Sequence, residues 1–272
     1  MTERRPSPSE ARGLSLASAV DPSQPVRAGT PAEAIDLMGQ FARARLGLSL
    51  TQRQLEAFAW YLDELVRWNA RHNLTAVTDP MGIAVKHFLD SLTLTPYLRG
   101  PGSSRLVDVG TGAGFPGVPL RIAHPSLRLT LVEAAGKKAD FCRHIVERLE
   151  LTAVEVLQAR AEDVARLASH REAYDVAAGR AVASLPVLLE YLLPLVRVGG
   201  RVLAQKGESA PAEVQQAAHA LDLLGGRLLK IHPVELPGVA EARYIVEIEK
   251  AAATPAAYPR RPGVASRRAL GP

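Results

Sequence analysis

The chain has 272 residues, of which 47% are hydrophobic and 22% charged, with a formal net charge of +5. That length and balance suit one large α/β domain with an appendage, and the longest apolar runs, such as the one through Leu192-Leu193, are far short of a membrane span. The single cysteine, Cys142, excludes an internal disulfide and fits a reducing, cytoplasmic compartment, and no Cys/His spacing marks a metal site.

Residues 1–30 are rich in Pro, Ser, Arg and Ala without hydrophobic periodicity and are expected to be a disordered tail. They hold no apolar signal core, and Glu3, Glu10 and Asp21 argue against an organelle transit peptide. Residues 31–100 read as a helical subdomain. A first helix covers Ala32 to Leu46. Thr51 and Gln54 form a capping box, followed by an apolar stripe of Leu55, Phe58, Leu62, Leu65 and Val66. Asp79-Pro80 opens a further helix running to Tyr97. Arg99-Gly100-Pro101-Gly102 is a turn.

From 101 to 250 strands and helices alternate. Strands are expected at 104–109, 127–133, 154–158, 174–178, 200–205, 226–235 and 243–249. The alternation implies parallel βαβ units, hence a doubly wound, mostly parallel seven-stranded α/β sheet. The short loop at Pro237-Gly238 makes the last pair antiparallel. Residues 251–272 form a basic tail with Arg260, Arg261, Arg267, Arg268 and no acid. Such asymmetry suits a polyanionic partner or an end that merely aids solubility.

The chemistry centres on Leu106-Val107-Asp108-Val109-Gly110-Thr111-Gly112-Ala113-Gly114-Phe115. A short apolar strand, a glycine turn and a helix make a site for a nucleotide-like ligand, because the turn lets the backbone approach it closely. The spacing is D-x-G-x-G-x-G. Phe115 stands where a dinucleotide fingerprint needs its third glycine, and no Lys-Ser/Thr follows to make a P-loop. The missing third glycine and the Asp108 start speak against a nicotinamide dehydrogenase, and the intact turn with Glu133 speaks against a non-enzymatic RNA-binding scaffold.

Ligands of such sheets sit beyond the carboxyl ends of the strands. Strand two delivers Glu133, an acceptor for ribose hydroxyls or a plain helix-start residue. Strand three leads to Arg160-Ala161-Glu162, which can read an adenine edge or only start a helix. Strand four ends at Arg180, which wants an anion. Strand five ends at Lys206, a phosphate ligand or a solvated loop lysine.

D-x-G-x-G-x-G resembles the first motif of class I S-adenosylmethionine-dependent methyltransferases. The segments WNARHNLTAVTD, KHFLDSL, LVDVGTGAGFPGVPL, LVEAAGKKADFC, QARAEDV, GRAVASL, LAQKG and YPRRPG together resemble the ribosomal RNA small-subunit methyltransferase G family, also called glucose-inhibited division protein B. The resemblance implies methyl transfer from S-adenosylmethionine to N7 of a guanine in 16S ribosomal RNA of the small subunit, by a monomer with no membrane partner. It places Gly110, Gly112, Phe115, Glu133, Ala134, Ala135, Ala161, Glu162 and Arg180 at the cofactor. It places Asn73, His87, Lys137, Arg160, Lys206, Arg260 and Arg261 toward the RNA. From the residues alone, His87 also reads as a packing histidine and Asn73 as a helix C-cap.

Overall fold

The computed structural model describes residues 29–98 and 104–271. The readings of residues 1–28 and of the turn at Arg99-Gly100-Pro101-Gly102 lie outside the described residues.

Helix α1 (Pro31–Leu46) opens on a Thr30/Glu33 capping box and closes at Gly47 in the left-handed region. Helix α2 (Gln52–His72) opens on the Thr51/Gln54 box and ends at Asn73, whose φ of 50° makes it the C-cap. Gln54 does double duty. Its Nε2 also donates to the Ile122 and Ala123 carbonyls at 2.8 and 3.0 Å, capping the far end of a helix of the sheet layer.

The helix expected from Asp79 to Tyr97 is broken. Asp79 Oδ1 accepts from the Gly82 N–H at 2.6 Å and starts α3 (Pro80–Ile83) as expected. The chain then widens into a π turn over Ala84–Leu89, tightens to α4 (Asp90–Leu92), and ends in a 3₁₀ turn at Thr95–Tyr97. The π turn has a physical reason. The Asp90 N–H goes to the Val85 and His87 carbonyls, and the Lys86 carbonyl instead accepts from Arg180 at 3.0 Å.

The sheet comprises β1 (Arg105–Val109), β2 (Arg128–Glu133), β3 (Val154–Gln158), β4 (Tyr174–Arg180), β5 (Val196–Lys206), β6 (Gly226–Val234) and β7 (Arg243–Lys250). Its order is β3-β2-β1-β4-β5-β7-β6. The first five strands are parallel, and β7 runs antiparallel to both β5 and β6. Strand β4 extends two residues beyond the expected end, so Arg180 closes the strand.

Crossovers are α5 (Gly117–Ala123), α6 (Gly136–Arg148), α7 (Ala161–Val164), α8 (Leu185–Leu192), α9 (Ala210–Gln216) and α10 (Ala218–Leu224). Alternate strand residues feed two cores. Leu106, Leu129 and Leu131 pack with α1, α2, α5 and α6, while Val107, Val109 and Val132 pack with α8 and α10. Among the described residues no helix is long and apolar enough to cross a membrane, and no cluster of metal-ligating side chains occurs.

The last segment, with α11 (Val264–Arg267), is docked onto the sheet layer. Ala265 and Leu270 join the second core. Arg171 donates to the Thr254 and Tyr258 carbonyls, and Arg166 to that of Pro259. The Arg260 guanidinium and N–H bind Glu190, which is fully buried. The basic end is therefore a strap, and its first arginine neutralises an internal carboxylate.

Truncation before Tyr258 is expected to strand the Glu190 carboxylate without its cation. Losing one partner of a buried pair costs about 3–5 kcal/mol, so the urea midpoint falls accordingly. An unchanged midpoint would mean that the strap adds nothing to the fold.

Candidate active site

The glycine turn is pinned from below by one carboxylate. Asp108 is fully buried at the end of β1. Its Oδ2 accepts the Thr111 hydroxyl at 2.6 Å and the Gly117 N–H at 2.8 Å. Thr111 O in turn accepts the Gly114 and Phe115 N–H groups at 3.0 and 2.8 Å. Burial pushes the Asp108 pKa up to about 6, against the downward pull of those two hydrogen bonds.

The N-terminal helices lock the turn from above. The Tyr61 hydroxyl of α2 donates to the Ala113 carbonyl, and the Cys142 thiol of α6 approaches the Gly112 carbonyl at 3.4 Å. A Cβ on Gly114 would lie 2.5 Å from the Tyr61 hydroxyl, so only glycine fits there. Gly112 is different. Its φ is +61°, and nothing lies within 4 Å of where a Cβ would point. The turn is thus packed on every side except over Gly112.

Glu133 borders that open side. It is 9% exposed, and its Oε2 accepts the Gly112 N–H at 2.9 Å while Oε1 accepts the Ala135 N–H at 2.8 Å. A carboxylate offers about four lone-pair positions, so each oxygen keeps capacity for a ligand hydroxyl. Ala134 and Ala135 are exposed beside it. The face over Gly112 is thus open, a cradle edged by carboxylate acceptors.

The family model for rRNA small subunit methyltransferase G matches residues 54–240. The protein of that name from Roseiflexus sp. (strain RS-1) is 53% identical over 236 residues, covering 87% of this chain and all of the relative. The one from Desulfitobacterium hafniense is 45% identical over 235 residues, covering 86% and 97%. The chain belongs to the rRNA small subunit methyltransferase G family. The methyltransferase fold expected from the glycine motif is the one observed, and the cofactor of the family is S-adenosylmethionine.

Within this methyltransferase several expected site residues are placed differently from their sequence reading. The Phe115 ring is buried, between Tyr61 at 5.6 Å and His87 at 4.7 Å, so only its backbone borders the cradle. His87 is a packed residue. Its Nε2 meets the Thr75 hydroxyl at 2.7 Å, and burial followed by the Arg180 charge lowers its pKa to about 3. It is neutral at physiological pH and cannot bind phosphate as a cation.

Arg180 finds its anion inside the protein. It pairs with buried Asp90 at 2.9 Å and lies 5.1 Å over the Phe115 ring. Glu162 is buried in α7 and accepts the Gly263 N–H of the strap at 2.9 Å, while Ala161 is buried beside it. Lys206 is held by Glu213 and the Ala183 carbonyl, both at 2.7 Å, with its side chain 8% exposed. Neither Lys206 nor Arg260 is a free surface cation. Asn73, Lys137, Arg160 and Arg261 are exposed.

Sequence reasoning passed over Asp90, Arg243 and Tyr61. Asp90 carried a signal, because an acid inside the apolar KHFLDSL stretch needs a buried cation. Arg243 carried one too. It opens an antiparallel last strand, so it sits at the carboxyl edge of the parallel ones.

The Asp108 pKa gives a signed pH effect. The folded carboxyl holds its proton up to about pH 6, against 3.8 for the ordinary group. The folded state therefore binds more protons in that window, and the Asp108 contribution is lost as pH rises through it. Asp108→Asn removes the titration. From pH 4 to 7 the variant should gain about 2 kcal/mol relative to the native chain, read from urea titrations at both pH values. Parallel pH profiles would show that Asp108 does not titrate there.

Proposed function

We propose that the protein transfers a methyl group from S-adenosylmethionine to N7 of a guanine in the 16S RNA of the small ribosomal subunit, working as a cytoplasmic monomer. The observation that carries this reading is the cradle over Gly112, open at a positive φ and edged by the Glu133 carboxylate.

S-adenosylmethionine, when bound, supplies an electrophilic sulfonium methyl. Guanine N7 has an in-plane lone pair and no proton, so the protein needs no general base. Its residues hold and orient. Gly110, Gly112 and the Phe115 backbone shape the floor. Glu133, with Ala134 and Ala135, receives the ribose, and Ala161 with Glu162 borders the base. Arg180 braces the wall between cofactor and substrate. Positioning of this kind accounts for large rate effects without acid–base chemistry.

Asn73, Lys137, Arg160 and Arg261 are exposed polar groups suited to RNA phosphates. The A-form major groove hides N7, so the target guanine is presented unpaired or out of its stack.

The decisive assay is tritium transfer from labelled cofactor to small-subunit RNA from a strain lacking the gene, with mapping of 7-methylguanine. No label in that RNA would sink the proposal. Two variants test the cradle. Asn tolerates the left-handed region, so Gly112→Asn should keep the melting temperature and fill the open space. Cofactor binding, measured by calorimetry, is then expected to vanish. Glu133→Ala should weaken it by about 2–3 kcal/mol, the scale of a hydrogen bond to a charged group plus an unpaired ligand hydroxyl. Unchanged affinity in either variant would remove that residue from the site.

A further inference from the structure

Beyond the carboxyl ends of β4 and β5 lies a cavity of about 140 Å³, bordered by Asp90, Arg180, Gln205, Gly207, Arg243 and Tyr244. A cavity near 150 Å³ holds one benzene ring, so this one takes the edge of a flat ring. It abuts the glycine turn, because Arg180 both lines it and stacks over Phe115. Ala181, also at its rim, has a φ of +55° and turns the chain away from the sheet.

Two polar atoms here lack a hydrogen-bond partner among the described residues. Gln205 is 6% exposed, and its Oε1 is buried and unpaired, while its Nε2 is fixed on the Asp90 carbonyl at 2.7 Å. Arg243 has a buried, unpaired Nε, while its Nη1 lies 3.6 Å from the Asp90 carboxylate. The strand register explains why they meet. Gln205 pairs with Ile245, and Arg243 is two residues along β7, so both side chains leave the same face of the sheet. Both converge on Asp90. Buried polar atoms left unpaired are costly and rare, and here an acceptor and a donor belong to residues that line one cavity.

Given the methyl-transfer reading, we propose that this cavity receives the target guanine by its Watson–Crick edge, Gln205 Oε1 accepting from N1–H and the Arg243 Nε–H donating to O6. That edge leaves N7 free on the other side of the ring. The pair also supplies a selection that nucleophilicity does not, since adenine carries an equivalent N7. Adenine presents an acceptor at N1 and a donor at its amino group. Each would face a group of its own kind, carbonyl oxygen against lone pair and N–H against N–H. The Asp90–Arg180 pair holds both reading side chains in place and contacts no base in this scheme.

The test uses small-subunit RNA with the mapped target guanine replaced, in separate preparations, by hypoxanthine, 2-aminopurine or adenine. Hypoxanthine keeps O6 and N1–H, whereas 2-aminopurine lacks both. The native enzyme should methylate guanine and hypoxanthine RNAs at similar kcat/KM and the other two about 10- to 100-fold more slowly, the discrimination of a well-made base contact. Gln205→Leu and Arg243→Met should lose a similar factor on guanine and almost none on 2-aminopurine, with cofactor affinity within about twofold of native. Equal native rates on guanine and 2-aminopurine would overturn the proposal without any variant. Equal losses by the variants on both bases would also overturn it, leaving these side chains a purely structural role. Native transfer to guanine RNA establishes independently that the methyl-transfer reading stands.

Discussion

The site depends on one buried carboxylate. Asp108 sits near the end of β1 with its Oδ2 shared between the Thr111 hydroxyl and the Gly117 N–H, at 2.6 and 2.8 Å. The first bond fixes where the glycine turn begins and the second where α5 starts. Because a buried acceptor in a low-dielectric setting is costly to leave unpaired, the turn between them has little freedom. What remains is one open face, over Gly112, bounded by Glu133.

A second set of contacts ties this turn to the helices that precede the sheet. Tyr61 from α2 bonds the Ala113 carbonyl, and its ring begins a Tyr61–Phe115–His87 stack. Arg180 covers that stack and pairs with Asp90. The helical layer therefore does more than extend the fold. Its π turn supplies the Lys86 carbonyl to Arg180, and its Asp90 carbonyl to Gln205, so the glycine turn and the neighbouring cavity share one scaffold.

Charge is spent unevenly. The net charge of +5 suggests a basic surface, yet Arg260, Lys206, Arg180 and Arg171 are bound to internal carboxylates or carbonyls. Among the basic residues expected to face RNA, Lys137, Arg160 and Arg261 are exposed. Buried Glu190 shows why Arg260 is not. A carboxylate with no exposure requires a cation, and the C-terminal strap brings one.

The sequence by itself determined the strand–helix alternation, the antiparallel last pair, the capping box at Thr51, the glycine turn and Glu133 at the end of β2. Each is a local pattern in which a few adjacent residues dictate backbone conformation or strand end. Only the tertiary structure decided which charged and aromatic groups are held inside the protein. His87, Phe115, Lys206 and Arg260 read as site residues from the family resemblance, but their partners Thr75, Tyr61, Glu213 and Glu190 come from elsewhere in the chain. That Gln205 and Arg243 leave the same face of the sheet likewise follows from β7 lying antiparallel beside β5. A side chain's partner is set by strand order and helix packing, which bring together groups dozens of residues apart, and no local pattern carries that information.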